Sequence, residues 1–226
     1  MTVITTTTYQ HFLASLLAGN KSTCSQIVRE QMLQGKKMED LYENLLKKAM
    51  YEVGILWETN KISVATEHLT SLIVESLLSE MYSHLKPGSS KGKKIVLGCV
   101  PGEYHQIGIK MTSDVFEKNG WETYFLGANV PVNDFITFSK GVQPHLIGLS
   151  LSLHFNLPAL EGMIKEIRKH FPQIPVIVGG QAFMHGGKTM LDQYEKAYYL
   201  KNLYELEQFI HVLTTNTSIT YSHKTT

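Results

Sequence analysis

The part of the chain after residue 93 alternates short apolar segments with longer amphipathic ones, and this alternation limits the fold more than any other sequence feature. Apolar, β-rich runs lie at residues 95–100, 122–127, 145–151, 175–180 and 197–200. Segments with helical periodicity lie at residues 107–119, 131–140, 156–170 and 202–213. Strands that alternate with helices pair in parallel and are joined by right-handed crossovers. We therefore predict an α/β domain with a doubly wound, parallel, five-stranded sheet.

Residues 9–85 have helical periodicity instead. Apolar side chains recur at helical spacing in three stretches, and Gly19 and Gly35 separate these stretches. A fourth helix is predicted from Ser63 to about Leu85. Its inward-facing side chains are predicted to be Leu69, Leu72, Ile73, Ser76, Leu77 and Met81. Four helices are enough for a small antiparallel bundle.

Residues 85–94 contain proline, glycine, serine and four lysines, which favours a solvated interdomain linker over a phosphate-binding patch. Both chain ends are rich in threonine and have no apolar period. The predicted organisation is a disordered tail at 1–8, a four-helix cap at 9–86, a linker at 87–93, a Rossmann-like (flavodoxin-like) domain at 94–213 and a second disordered tail at 214–226.

Charge and cysteine content exclude several classes of function. The net charge is +1, from 21 basic and 20 acidic residues, so no global field attracts nucleic acid or an anionic membrane. No run approaches the roughly 20 apolar residues that a membrane helix needs, and the N-terminus lacks the basic segment of a signal peptide. Cys24 and Cys99 form no CxxC motif, so we expect a reduced, cytoplasmic environment.

Doubly wound sheets bind ligands at the carboxyl ends of their strands, beside the point where strand order reverses. The loops predicted at this edge are residues 100–106, 127–131, 150–156 and 179–187. The functional site is therefore expected there.

The first of these loops contains Glu103 and His105, two residues apart in a PGEYHQIG segment. A carboxylate that accepts one imidazole N–H selects the tautomer and makes the other ring nitrogen a stronger metal ligand. Gly108 opens the next helix without a side chain, which allows a bulky ligand to approach closely. A single loop histidine is more often an ordinary surface residue, so the other loops have to support this interpretation.

The remaining loops add small and polar residues at the same edge. Ser150 ends the third strand, and Asn156 begins the helix that follows it. Gly179 and Gly180 leave space after the fourth strand.

Taken together, the ExHxxG segment, the strand-end serine and the double glycine resemble the DxHxxG…SxL…GG signature of cobalamin-binding domains. That family includes methionine synthase, corrinoid methyl-transfer proteins and adenosylcobalamin photoreceptor regulators. The resemblance covers about residues 93–213. It implies that His105 replaces dimethylbenzimidazole as the lower cobalt ligand. It also implies that Ser150, Gly179 and Gly180 line a slot for the nucleotide tail of the cofactor.

Two positions depart from the family pattern. Glu103 replaces the usual aspartate, so its bond to the histidine has to span one more methylene group. Ser152 replaces the leucine of the SxL pattern, which makes that wall of the predicted slot more polar.

The cap carries a second motif, in which nine residues separate Trp57 from Glu67 and His68. Val64, Glu67 and His68 share one helix face at spacings i, i+3 and i+4. Taken alone, the motif fits a packed tryptophan and valine beside solvated helix-start residues. It resembles the cap of adenosylcobalamin photoreceptors. The resemblance implies that these four residues cover the adenosyl group and that His68 becomes the upper cobalt ligand after light breaks the Co–C bond.

These resemblances lead us to expect a non-enzymatic light sensor with adenosylcobalamin as chromophore and a cap that rearranges after photolysis. Photoreceptor regulators usually carry a helix-turn-helix domain, which residues 1–8 cannot hold. The signal is therefore expected to pass to a regulatory protein partner or to act through homo-oligomerisation, unless the chain is a fragment of a longer protein. No direct nucleic-acid binding is expected.

Four alternatives remain open. The same fold serves corrinoid carriers of methyltransferase systems, and it also suits a cobalamin store or chaperone. A nucleotide or flavin site is disfavoured because no GxGxxG motif follows the first strand. Zinc hydrolysis by Glu67, His68 and His105 lacks a further ligand.

Overall fold

A computed structural model describes residues 4–215. The chain divides after Leu85 into two compact units. Each unit is described by itself below. The remaining parts of the two predicted tails, residues 1–3 and 216–226, lie outside the described residues.

The first unit is a helical bundle. Its helices are α1 (Thr6–Leu17), α2 (Lys21–Leu33), α3 (Met38–Leu41), α4 (Lys48–Glu58) and α5 (Val64–Tyr82). A π-helical segment, Tyr42–Lys47, connects α3 to α4, so α3 and α4 form one continuous helix. The bundle therefore has four helices, and the four-helix prediction is confirmed. Fully buried side chains form the core of the bundle, among them Phe12, Leu16, Val28, Leu45, Leu46 and Leu77.

Helix α1 begins inside the segment that the sequence analysis assigned to a disordered tail. The Thr5 side chain accepts a hydrogen bond from the Thr8 amide and caps the helix, so Thr6–Thr8 are helical. The predicted tail at 1–8 is therefore too long. A threonine-rich stretch without an apolar period does not reveal an N-cap that extends a helix outward.

The buried face of α5 differs in part from the predicted one. Ile73, Leu77 and Met81 are buried as expected, but Leu69 is exposed and Leu72 is 64% exposed. The buried stripe instead continues through Thr70, Val74 and Leu78. Leucines occur on both sides of this helix, and their spacing alone does not show which side packs inward.

The second unit contains the predicted sheet. Its strands are β1 (Lys94–Cys99), β2 (Glu122–Phe125), β3 (Leu146–Ser150), β4 (Val176–Gly179) and β5 (Ala197–Tyr199). The strand order is β2-β1-β3-β4-β5, and all neighbouring strands are parallel. The predicted five-stranded, flavodoxin-like sheet is confirmed.

Four helices of the second unit flank this sheet. They are α6 (Ile107–Lys118), α7 (Val132–Val142), α8 (Leu157–His170) and α9 (Leu203–Thr215). Helix α6 packs beside α9, and α7 packs beside α8, as expected when a doubly wound sheet carries helices on both faces. Helix α9 extends to Thr215, so it enters the tail predicted at 214–226.

The predicted linker has no regular secondary structure, but its backbone lies against the second unit. The Gly88 amide donates to the Glu117 carbonyl at 3.3 Å, and the Lys91 amide donates to the Gly120 carbonyl at 2.9 Å. Gly120 has φ +81°, and an added Cβ there would lie 2.0 Å from the Ser89 carbonyl oxygen. We call residues 88–91, bound in this way, the seated linker.

No helix among residues 4–215 is long and apolar enough to cross a membrane. Both cysteines are buried free thiols, and burial raises the pKa of Cys24 to about 11.

Candidate functional site

The site lies where the strand order reverses, between β1 and β3. Cys99 pairs in register with Ser150, and Ser150 pairs with Gly179. The loops that follow these three strands therefore open at the same edge of the sheet. This is the edge at which doubly wound sheets bind ligands.

Glu103 joins two of these loops through its buried carboxylate. Its Oε1 accepts hydrogen bonds from the Nδ1 of His105 at 2.5 Å and from the His105 amide at 3.0 Å. Its Oε2 accepts from the amides of Ser152 at 2.8 Å and Leu153 at 3.0 Å. The longer glutamate side chain therefore reaches the histidine and also binds the loop after β3.

The charge state of Glu103 follows from these bonds. Burial by itself raises the pKa of the carboxyl group. The bonds from the His105 ring and from the His105, Leu153 and Ser152 amides outweigh burial and lower the pKa below its usual value. Glu103 is thus ionised and accepts a hydrogen bond from Nδ1–H of His105, which leaves the lone pair of the imidazole on Nε2. The His105 side chain is 47% exposed, so the ring reaches the surface of the unit.

The two glycines after β4 have different reasons to be glycine. Gly180 has φ +118°, and an added Cβ there would lie 2.0 Å from the Leu151 carbonyl oxygen. At Gly179 an added Cβ would meet only the Leu200 carbonyl oxygen, at 3.4 Å. At Gly108 nothing lies within 4 Å of that position. The protein itself therefore requires Gly180, whereas Gly179 and Gly108 leave space beside the site.

Two other predicted site residues act through hydrogen bonds between loops. Asn156 donates through Nδ2 to the Gly102 carbonyl at 3.2 Å, so it holds the loop that carries His105. Ser152 contributes its backbone amide to Glu103. The structure thus brings Glu103, His105, Ser152 and Asn156 together directly.

Two residues that hydrogen-bond to Glu103 were not predicted from the sequence. Leu153 donates its amide to Glu103, and Asn129 donates its amide to the Glu103 carbonyl at 2.8 Å. A backbone amide leaves no signal in side-chain chemistry. Asn129 lies in a loop that was assigned to this edge, and asparagine is one of the few residues that adopt its left-handed φ of +50° readily.

The cap residues lie in the first unit. Trp57, near the end of α4, is 40% exposed, and Val64, the first residue of α5, is exposed. Glu67 accepts a hydrogen bond from Ser71 at 2.9 Å and pairs with the Nδ1 of His68 at 2.6 Å. The His68 side chain is 72% exposed. Each unit therefore presents an exposed histidine whose Nδ1 pairs with a glutamate.

The zinc alternative receives no support. Within residues 4–215, no three side chains of the types His, Cys, Asp or Glu lie close enough to hold a metal ion together. A metal at His105 would have to arrive with its own additional ligands, as it does in a corrin.

Comparison with known proteins shows which metal-containing cofactor the chain binds. A family model described as B12 binding domain matches residues 93–199, and a second model of the same description matches residues 8–81. Each unit of the chain therefore matches a B12 binding domain, and the predicted cobalamin-binding chain is confirmed.

Curated relatives fall into two groups. Dimethylamine corrinoid protein 1 of Methanosarcina acetivorans is 27% identical over 172 residues, which are 73% of this chain and 81% of that protein. The HTH-type transcriptional repressor CarH of Myxococcus xanthus is 27% identical over 174 residues, which are 76% of this chain and 57% of the repressor. The first relative is named as a corrinoid protein, and the second is named as a transcriptional repressor.

The fold also matches a solved structure. The monomethylamine corrinoid protein of Methanosarcina barkeri superposes with a TM-score of 0.79 at 13% identity, over 91% of this chain and 98% of that protein. Since the identity is low, this likeness supports the fold alone.

The residues present fit cobalamin. An ionised carboxylate directs the lone pair of the His105 imidazole to Nε2, and imidazole nitrogen is a common cobalt and zinc ligand in proteins. Gly179 and Gly108 leave open space where a side chain would otherwise stand. A large cofactor that needs one nitrogen ligand and close backbone approach suits this arrangement.

Proposed function

We propose that the chain is a corrinoid carrier protein, which holds cobalamin through His105 and presents the upper face of the cobalt to a partner methyltransferase. The observation that carries the proposal is the Glu103–His105 pair at the reversal of strand order. A carboxylate-oriented imidazole at this edge is suited to bind the metal of a cofactor that lies on the sheet.

Different residues of the second unit would bind different parts of the cofactor. Glu103 accepts a hydrogen bond from Nδ1–H of His105, which keeps the proton on Nδ1, orients the ring and leaves Nε2 to bind cobalt. Ser150, Gly179 and Gly180 would line the slot for the nucleotide tail. The bound cofactor supplies a cobalt centre whose upper ligand can be exchanged, and that chemistry belongs to the cofactor.

The relatives favour a carrier over a sensor. The match to the dimethylamine corrinoid protein spans 81% of that protein, whereas the match to the CarH repressor spans 57% of the repressor.

His105→Ala tests cobalamin binding. The wild-type chain, loaded with cobalamin, should show the absorption spectrum in which histidine replaces dimethylbenzimidazole, and His105→Ala should lose this spectrum and bind at least tenfold more weakly. His170→Ala, at the exposed end of α8, is the matched control and should behave as wild type. An unchanged spectrum in His105→Ala would show that another group is the lower ligand.

A light sensor is the second candidate, and one observation favours it. Glu67 pairs with the Nδ1 of the exposed His68, so the cap also presents an oriented imidazole nitrogen. In this role adenosylcobalamin would be the bound form, with Trp57, Val64 and Glu67 facing its adenosyl group.

Binding and illumination distinguish the two candidates. The carrier predicts similar affinities for methylcobalamin and adenosylcobalamin, and a photoproduct spectrum that His68→Ala leaves unchanged. The sensor predicts a preference for adenosylcobalamin that Trp57→Ala reduces, and an altered photoproduct in His68→Ala. Leu33→Ala, another exposed apolar position of the first unit, controls for the loss of a large side chain. A cobalamin store or chaperone would bind as the carrier does but form no complex with a methyltransferase.

A further inference from the structure

Three consecutive residues before His105 are held by a single asparagine from a different loop. Asn129 accepts a hydrogen bond from the Gly102 amide through Oδ1 at 2.8 Å. Its own amide donates to the Glu103 carbonyl at 2.8 Å, and its Nδ2 donates to the Tyr104 hydroxyl at 3.2 Å. These bonds connect the loop after β2 with the loop after β1.

We propose that Asn129 is a positioning residue for the cobalt ligand His105, an inference that rests on the proposed function of the site. It touches neither His105 nor the place of the metal. It acts through Gly102, Glu103 and Tyr104, whose backbone determines where the Glu103 carboxylate and the imidazole stand relative to each other.

The backbone of Asn129 suits this role. Its φ of +50° lies in the left-handed region, which asparagine adopts more readily than most residues other than glycine. In this conformation one residue can direct its amide and both ends of its side-chain amide toward the same neighbouring segment. A β-branched or longer side chain at this position would strain the backbone and lose the bonds.

A second asparagine, Asn156, also contacts this segment and donates to the Gly102 carbonyl at 3.2 Å. Asn129 and Asn156 therefore hold the two polar groups of the Gly102 backbone from different loops. Asn129 also bonds Glu103 and Tyr104, the two residues that lead to His105. Ordering this segment before the cofactor arrives reduces the entropy that binding would otherwise lose.

The test uses Asn129→Gly in the full chain, because glycine keeps the left-handed backbone and removes only the side chain. Without cofactor, hydrogen exchange at the Gly102 and His105 amides should accelerate at least tenfold. With cobalamin, the affinity should fall by about tenfold, because the segment before His105 would have to become ordered on binding. The histidine-ligated fraction of the spectrum should fall as well.

Gln143→Gly is the matched control, because Gln143 also has a left-handed φ, of +52°, and ends α7 away from the carboxyl edge of the sheet. It should leave exchange at Gly102, affinity and spectrum unchanged. Should Asn129→Gly fail to fold, Tyr104→Phe removes only the hydroxyl that accepts from Asn129 Nδ2. It should then accelerate exchange at the His105 amide and lower the histidine-ligated fraction less than Asn129→Gly would, with exchange at Gly102 unchanged.

Unchanged exchange at His105 and an unchanged spectrum in Asn129→Gly, or in Tyr104→Phe where that variant replaces it, would overturn the inference, including the case in which only overall stability falls. Failure of the proposed function has a different signature, since the wild-type chain itself would then lack a His105-dependent spectrum. The inference that Asn129 positions a cobalt ligand would then be wrong as well. The hydrogen-exchange rates would still show whether Asn129 orders the loop after β1.

Discussion

At the scale of single residues, Glu103 does more than the aspartate of the family pattern was expected to do. Its carboxylate is fully buried, and it accepts from the ring and amide of His105 and from two amides of the loop after β3. Removing the charge would leave these amide donors with a weaker acceptor inside the protein. A buried donor without a good partner is costly, so Glu103 contributes to stability as well as to ligand orientation.

Glu103 should make stability depend on pH. Its pKa is lowered in the folded chain, so its contribution is fully present above the pKa of an unfolded glutamate, about 4.3, and is lost as pH falls through the lower folded value. The free energy of unfolding without cofactor should therefore fall as the pH drops below about 4.3 in the wild type, and less steeply in Glu103→Gln. Denaturant unfolding of both proteins at several pH values measures the difference.

At neutral pH the same variant should be destabilised by about 2 kcal/mol, the magnitude of a charge-assisted hydrogen bond lost in a buried place. Glu166→Gln, on an exposed surface of α8, is the control and should change stability little. Equal pH slopes for wild type and Glu103→Gln would contradict the role assigned to the carboxylate.

At the scale of elements, the strands and their order followed from the sequence, whereas several packing details did not. Alternation of apolar runs and helical segments predicts a parallel sheet, and the ligand-binding edge comes with that topology. The exposure of Leu72 depends on tertiary packing, and the cap at Thr5 is a local side-chain hydrogen bond; helical periodicity reveals neither. Within the site, the Glu103–His105 pair was predictable from side chains, but Asn129 and the Leu153 amide were not, because backbone geometry determines their roles.

The end of β4 offers a test of which glycine serves the fold and which serves the cofactor. Gly180→Ala should destabilise the chain by about 3 kcal/mol or more, because of its φ of +118° and the 2.0 Å approach to the Leu151 carbonyl oxygen. Gly179→Ala should keep the free energy of unfolding within about 1 kcal/mol of wild type and weaken cobalamin binding at least tenfold. Thermal unfolding without cofactor and titration with cobalamin separate the effects. Unimpaired binding by Gly179→Ala would place the nucleotide tail elsewhere.

At the scale of the whole molecule, the two units are connected by a lysine-rich segment that sequence composition marks as a solvated linker. In the structure, Lys91 donates its amide to Gly120, and the Lys93 carbonyl accepts the Glu122 amide at 2.9 Å. Backbone bound in this way enters a protease active site poorly, because cleavage requires a locally extended, released chain.

We therefore expect the wild-type chain to resist trypsin at Lys91 and Lys93. Gly120→Ala should release the seated linker and raise the rate of cleavage there at least tenfold, since its added Cβ cannot coexist with the Ser89 carbonyl oxygen. Gly35→Ala is the control: Gly35 has a similar φ, of +77°, but open space around it. Mass spectrometry of the fragments locates the cuts, and rapid cleavage of the wild type at Lys91 would contradict this expectation.

The seated linker also determines the torsional freedom at the boundary. Between Leu85, where the first unit ends, and Gly88, the first bound residue, stand only Lys86 and Pro87. The proline ring restricts its own φ and disfavours helical angles at the lysine before it. Few backbone rotations therefore remain in the two residues between Leu85 and Gly88. Lengthening this segment should increase the entropy of the connection without changing a single contact inside either unit.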